Sequence, residues 1–212
     1  MSSSRRKTST VLRAFQAEIK RLEKFDSENQ LKFTTSGKKG NLSLRQLHLL
    51  TEHIFFVGFR TYEGFIRDLF LLYCLEKPHS SGKKVVSYLR PKDFNHAEIL
   101  IKSSMSFLDW TSPDEVIGRA ETYLQNGFPI KLPYESNLQS LREFKHIRNH
   151  IAHNSKESLE KFKKVVKGHY GTMPLVIPPP GEFLLIPDKT NPKKYKLLVF
   201  FDLMKRIAQQ LV

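Results

Sequence analysis

Residues 136–153 read SNLQSLREFKHIRNHIAH. Leu138, Leu141, Phe144, Ile147 and Ile151 recur at intervals of three and four, the period of one helix face. A helix over 136–153 therefore buries that stripe and turns its polar residues outward. Its last hexapeptide, Arg148-Asn149-His150-Ile151-Ala152-His153, gathers a guanidinium, an amide and two imidazoles near one helix end.

Working outward, the same periodicity recurs. Thr10 to Leu31 carries apolar residues at helical spacing, and a loop at Ser36-Gly37-Lys38-Lys39-Gly40 follows. Ser43 is suited to cap the longest helix, running to about Glu76, whose apolar stripe is wide enough to be covered on most sides. Pro78 to Lys84 end it. Short helices are expected at Val85–Leu89 and from about His96 to Ser104. Ser112-Pro113-Asp114-Glu115 has the form of a capping box with proline at the first helical position. Asn126-Gly127 then stops the helix, and Phe128–Tyr134 is read as an extended connector. After Asn154-Ser155, a helix over Lys156–Lys167 ends at Gly168. Beyond it, prolines at 174 and 178–180 mark a rigid loop, Phe183–Ile186 and Tyr195–Phe200 are expected to pair as a hairpin, and the last dozen residues form a helix. The expected fold is all-α, an antiparallel helical bundle over 1–168 with a C-terminal appendage over 169–212 packed on it.

Lys plus Arg number 35 against 21 Asp plus Glu, a formal net charge of +14. A surplus this large favours a polyanionic partner, nucleic acid ahead of an anionic membrane face. Hydrophobic residues at 40% and 16 phenylalanines supply a real core and argue against disorder. The single cysteine, Cys74, lies in an apolar run and reads as an inert buried thiol; with no disulfide framework, a reducing, cytoplasmic setting is expected. The N-terminus lacks the apolar segment of a signal peptide, and no stretch has the length of a membrane span.

The hexapeptide resembles the signature of the HEPN superfamily of helical-bundle domains: an Arg, four to six residues, then a His, with a polar residue directly after the Arg. A second such spacing, Arg90 to His96, is interrupted by Pro91 and is not on a continuous helix. Upstream, Tyr62-Glu63-Gly64-Phe65-Ile66-Arg67-Asp68-Leu69 is similar to the first long helix of some HEPN families. The resemblance covers about residues 43–167. It implies a metal-independent endoribonuclease whose site forms where two copies meet, in a toxin or antiviral defence role. It also implies a buried Glu, here Glu63, facing the motif's Arg148. An inhibitory or complex partner protein is a further expectation; no membrane is expected.

These residue types suit the chemistry. Metal-free RNA cleavage needs a base for the 2′-hydroxyl proton, an acid for the leaving 5′-oxygen and a cation on the phosphate. Histidine serves as acid or base near neutral pH, and arginine presents a permanent fork of donors. His153 is thus the candidate acid or base, Arg148 the phosphate clamp, Asn149 an orienting group and Glu63 a support. At about 100° per residue, Arg148 and His153 point some 140° apart, so the pair makes chemical sense mainly across a two-fold axis. His150, Lys161, Lys163 and Lys164 are the expected RNA contacts. His146 and His150, four apart, have the spacing to share a metal ion, but no cysteine is near and Glu157 is the nearest downstream carboxylate; no metal or cofactor is expected. The alternative is a catalytically inactive RNA-binding or assembly module.

Overall fold

The computed structural model describes residues 6–34, 41–103 and 108–212. Among these, the regular elements are a 3-10 turn at Gln125–Gly127 and nine α-helices: α1 Thr8–Thr34, α2 Leu44–Cys74, α3 Phe94–Lys102, α4 Pro113–Tyr123, α5 Lys131–Glu135, α6 Leu138–His153, α7 Lys156–Tyr170, α8 Pro180–Leu185 and α9 Lys196–Gln210. The fold is all-α, as the periodicity requires. The loop with Lys38 and Lys39, and the Ser104 end expected for α3, lie outside the described residues.

Helix starts follow local chemistry. Ser43 caps α2 reciprocally: its hydroxyl accepts the Gln46 N–H at 3.3 Å, and Gln46 Oε1 accepts the Ser43 N–H at 2.8 Å. Ser155 and Ser158 form the same kind of box at the start of α7. At α4 the expected box does not form. The Ser112 side chain makes no cap bond, Asp109 Oδ1 accepts from the N–H groups of Thr111 and Ser112, and Glu115 reaches Arg119 instead.

The chain forms two compact units. One comprises Met1–Gln16, Thr61–Arg142 and Lys205–Val212. Its centre is the C-terminal half of α2, where every residue from Leu69 to Cys74 is buried, so these last turns are covered on all sides. Phe15 packs on Phe65 at 4.8 Å and Tyr62 at 5.9 Å between ring centroids. Phe70 meets Trp110, and the Arg119 guanidinium lies over the Trp110 ring at 4.9 Å. The Tyr73 hydroxyl donates to the Leu211 carbonyl, which ties the chain end to α2. Burial raises the Cys74 thiol to about 12, against a smaller opposing hydrogen bond from Ser87, so it is an inert core group.

Two expectations change in this unit. Val85–Leu89 is extended rather than helical: Ser87 bridges Leu124, and the N–H groups of Ser87 and Tyr88 go to Glu76 Oε1 and the Tyr123 carbonyl. Such long-range partners are invisible to local propensity. The connector 128–134 instead contains α5, whose Tyr134 is buried.

The other unit comprises Ala17–Arg60 and Glu143–Met204. Phe200 is its hub, with ring centroids 4.6 Å from Phe55, 5.0 Å from Phe144 and 5.4 Å from Phe201. Offset and edge contacts of this kind add to burial. Here the expected hairpin is replaced. Phe183–Leu185 belongs to α8 and residues from Lys196 onward to α9, leaving an isolated bridge between Pro187 and Tyr195. A short apolar run does not by itself choose between strand and helix; tertiary contacts decided for helix, with Phe183 edge-on to Phe162 at 5.5 Å and the Gly181 N–H on Glu52 at 2.9 Å. Helix α7 also continues past Gly168 to Tyr170, ending at Gly171 with φ +82°.

Candidate functional site

Helix α6 ends at His153, Asn154 takes a left-handed φ of 45°, and the capped start of α7 follows at once. This elbow carries the hexapeptide. The core stripe of the sequence is buried as expected at Leu141, Phe144 and Ile147, which fixes the rotation of α6 and hence the directions of its polar groups.

Arg148 is half-buried. Its guanidinium carbon lies 5.4 Å from the Phe56 ring centroid, and Nη1 donates to Asn149 Oδ1 at 3.1 Å. A flat cation lying on an aromatic face and engaged by an adjacent amide is held in orientation. Asn149 spends its carbonyl oxygen on Arg148, which leaves its NH₂ as the donor end. His153, the last residue of α6, is exposed.

His150 sits differently. It is 9% exposed, stacks on Phe162 at 5.1 Å with 22° between planes, and its Nδ1 shares a hydrogen bond with Ser158 Oγ at 3.2 Å. Burial holds its pKa below the usual imidazole range, against a smaller opposing pull from Glu52. The ring joins α6 to α7 from inside, so the structure gives this residue a packing role. Its place beside core positions Ile147 and Ile151 carried that signal. His146 is half-buried on the same helix. Among the described residues, no group of three or more His, Cys, Asp and Glu side chains is arranged to hold a metal ion.

The lysines of α7 present a charged face. Lys161 pairs with Glu157 at 2.6 Å and Lys163 with Glu160 at 2.8 Å; Lys164 is exposed. Both glutamates are held below their ordinary pKa by these lysines. Surface pairs one helical turn apart exchange readily for other anions. Glu63 is half-buried on α2, in the unit that contains Thr61–Arg142.

Sequence reasoning did not single out Phe56, which props Arg148, or Ser158, which anchors His150. Phe56 is one aromatic in the run Phe55-Phe56 of a long apolar helix, with nothing local to distinguish a prop from core.

No protein-family model matches the chain, and no curated protein or solved structure gives a significant match. No described helix is long and apolar enough to cross a membrane.

Proposed function

We propose that this protein is a metal-independent endoribonuclease of the HEPN type, with a composite site built from the α6 elbows of two copies. The observation that carries the reading is the contrast between two side chains at one helix end: Arg148 oriented by Phe56 and Asn149, and His153 in the open. They lie about 7.5 Å apart along the helix axis and some 140° around it, so one copy does not direct both at one phosphate. A two-fold pairing supplies two imidazoles and two guanidiniums to one cleft.

In this reading one His153 takes the proton of the 2′-hydroxyl, whose oxygen attacks the adjacent phosphorus. The bond from phosphorus to the 5′-oxygen breaks, and the second His153 protonates that oxygen. The products are a 2′,3′-cyclic phosphate and a 5′-hydroxyl. Arg148 neutralises the non-bridging oxygens, Asn149 orients, and Glu63 supports; Lys161, Lys163 and Lys164 guide the backbone inward. A cytoplasmic toxin or antiviral effector, kept silent by an inhibitory partner, is the biological setting we infer.

The experiment is incubation of the purified chain with total RNA in EDTA. The expected result is cleavage that survives chelation and falls by about 10²–10⁴ in Arg148→Ala and in His153→Ala. Equal activity in wild type and both variants overturns the assignment; RNA binding without cleavage favours the inactive binding module. Loss in EDTA with rescue by a divalent ion assigns a metal-dependent hydrolase. Sedimentation of the concentrated protein as a monomer removes the composite site.

A further inference from the structure

A second set of chemistry-bearing residues lies in the unit that contains α3, α4 and α5. Lys83, Lys84, Val86, Gln125, Asn126 and Phe128 line a groove of about 540 Å³, within the range of about 300–1,000 Å³ typical of small-molecule sites. The groove is built rather than incidental. Residues 86–88 run beside 123–125, with Gln125 donating its N–H to the Val86 carbonyl at 2.9 Å and Tyr88 donating to the Tyr123 carbonyl at 2.9 Å. Asn126 and Gly127 then turn the chain through two successive positive φ angles, 57° and 68°. A side chain at Gly127 would place Cβ 2.7 Å from that of Lys131, so only glycine lets α5 approach this closely.

That turn brings Phe128 to the groove wall, half-buried, with the His79 ring 5.4 Å away at 59°; His79 is in turn held by Ser81 Oγ at 2.7 Å. The Lys83 ammonium stands 5.9 Å from the Phe128 centroid. Lys83 and Lys84 are exposed, and among the described residues neither has a carboxylate partner. Neighbouring Lys131 is the contrast: its ammonium is engaged by Glu121 at 2.6 Å and Glu135 at 3.8 Å. Gln125 and Asn126 add two exposed amides, each with a donor and an acceptor.

We propose that this groove binds one unpaired nucleotide of single-stranded RNA, with its base stacked on Phe128 in place of the exposed Lys83 ammonium that lies over the ring, and its phosphate on the displaced Lys83 and on Lys84. The proposal rests on the RNA reading above and names a recognition subsite for it, remote in chemistry from the Arg148 and His153 pair. Two unneutralised ammoniums select an anion. An aromatic platform with flanking amides selects a planar, hydrogen-bonding group. A nucleotide carries both, and a paired base offers no free face to Phe128.

The test uses the full chain carrying His153→Ala, so that the probe is not consumed. A fluorescent 12-mer oligouridylate is titrated by anisotropy against this protein and against the same protein carrying Phe128→Leu or Lys83→Gln with Lys84→Gln. Phe128→Leu keeps an apolar side chain at a half-buried position, and both lysines are exposed; far-ultraviolet circular dichroism checks that each fold is retained. Phe128→Leu is expected to weaken binding by about ten-fold. The double lysine variant is expected to reduce the slope of log affinity against log salt by about 1.4, the value for two contacts to a single strand. With 5-iodouridine in the probe, irradiation attaches it to the peptide bearing Phe128.

Unchanged affinity in both groove variants, attachment only elsewhere, or no RNA binding at all overturns the proposal. So does weakening by the lysine changes alone that heparin reproduces in full, which marks a general anion surface. The nuclease reading is judged separately in the parent chain in EDTA: groove changes raise KM and leave kcat, whereas His153→Ala removes kcat.

Discussion

Replacing Gly181 with alanine tests the packing of α8 on α2 at one atom. Gly181 needs no unusual backbone angle; what it lacks is room. A Cβ built there lies 2.2 Å from the His48 carbonyl oxygen, 2.7 Å from its carbonyl carbon and 2.9 Å from its Cα. These are backbone atoms of a helix and do not rotate aside. Restoring ordinary van der Waals separation requires α8 to withdraw by about 1 Å. That withdrawal stretches the 2.9 Å hydrogen bond from the Gly181 N–H to Glu52 Oε1. Overpacking of this kind costs about 1–3 kcal/mol, and a hydrogen bond to a carboxylate contributes about 1.5–3 kcal/mol. Partial relaxation spares some of each, so about 3 kcal/mol is expected. For a chain of this length that lowers Tm by roughly 6–12 °C. The measurement is thermal unfolding by circular dichroism at 222 nm. The internal control is Gly64→Ala on α2, where a Cβ meets nothing within 4 Å; it is expected to stabilise by about 0.5–1 kcal/mol through helix propensity alone. A Gly181→Ala protein that melts with wild type, or a Gly64→Ala protein that loses as much, refutes the close approach.

Three further outcomes follow from buried polar groups. Asp26 is 1% exposed, its pKa is raised by burial, and the Tyr195 hydroxyl donates to it; Tyr195→Phe is expected to cost about 2–3 kcal/mol near neutral pH. That deficit should shrink as pH falls and the Asp26 carboxyl takes a proton; a deficit independent of pH contradicts the arrangement. His150 has a lowered folded-state pKa, so the unfolded chain protonates first, and its contribution is complete above about pH 6.5 and lost as pH falls below it. His150→Gln should therefore flatten the acid side of a Tm profile between pH 7 and 5, with a residual slope from His169, whose pKa burial also lowers; an unchanged slope counts against the stacked position. Arg119 is 8% exposed, stacks on Trp110 and donates to the Asp109 carbonyl at 2.5 Å. Arg119→Lys loses the planar fork and should cost about 1–2 kcal/mol, with a shift in the emission of Trp110, the single tryptophan; an identical spectrum and Tm would contradict the stacking.

Periodicity carried the architecture because burial of one helix face is a local demand. The repeats that define α1, α2, α6 and α7 are legible in 10–30 residues, and so is the cap at Ser43. The charge surplus and the order Arg148-Asn149…His153 are also properties of the string alone. Where the string offered a short apolar run, it left the outcome open: Phe183–Leu185 and Val85–Leu89 exchanged the expected strand and helix because Glu52, Glu76 and Tyr123 supply partners from far along the chain. The capping box at Ser112 was lost to local competition instead, since Asp109, three residues before it, and Arg119, one turn after Glu115, claim the groups it would have used.

Within the hexapeptide, sequence alone assembled the chemical groups, and tertiary structure divided their labour. Whether an imidazole is packed or displayed depends on the helix's rotation and on what lies across from it. Phe162 and Ser158 take His150 inward, Phe56 props Arg148, and the turn at Asn154 leaves His153 exposed. The groove at Phe128 is wholly a tertiary product. Its lysines, amides and ring come from residues 83–86 and 125–128, two segments brought side by side by backbone hydrogen bonds that no local pattern encodes.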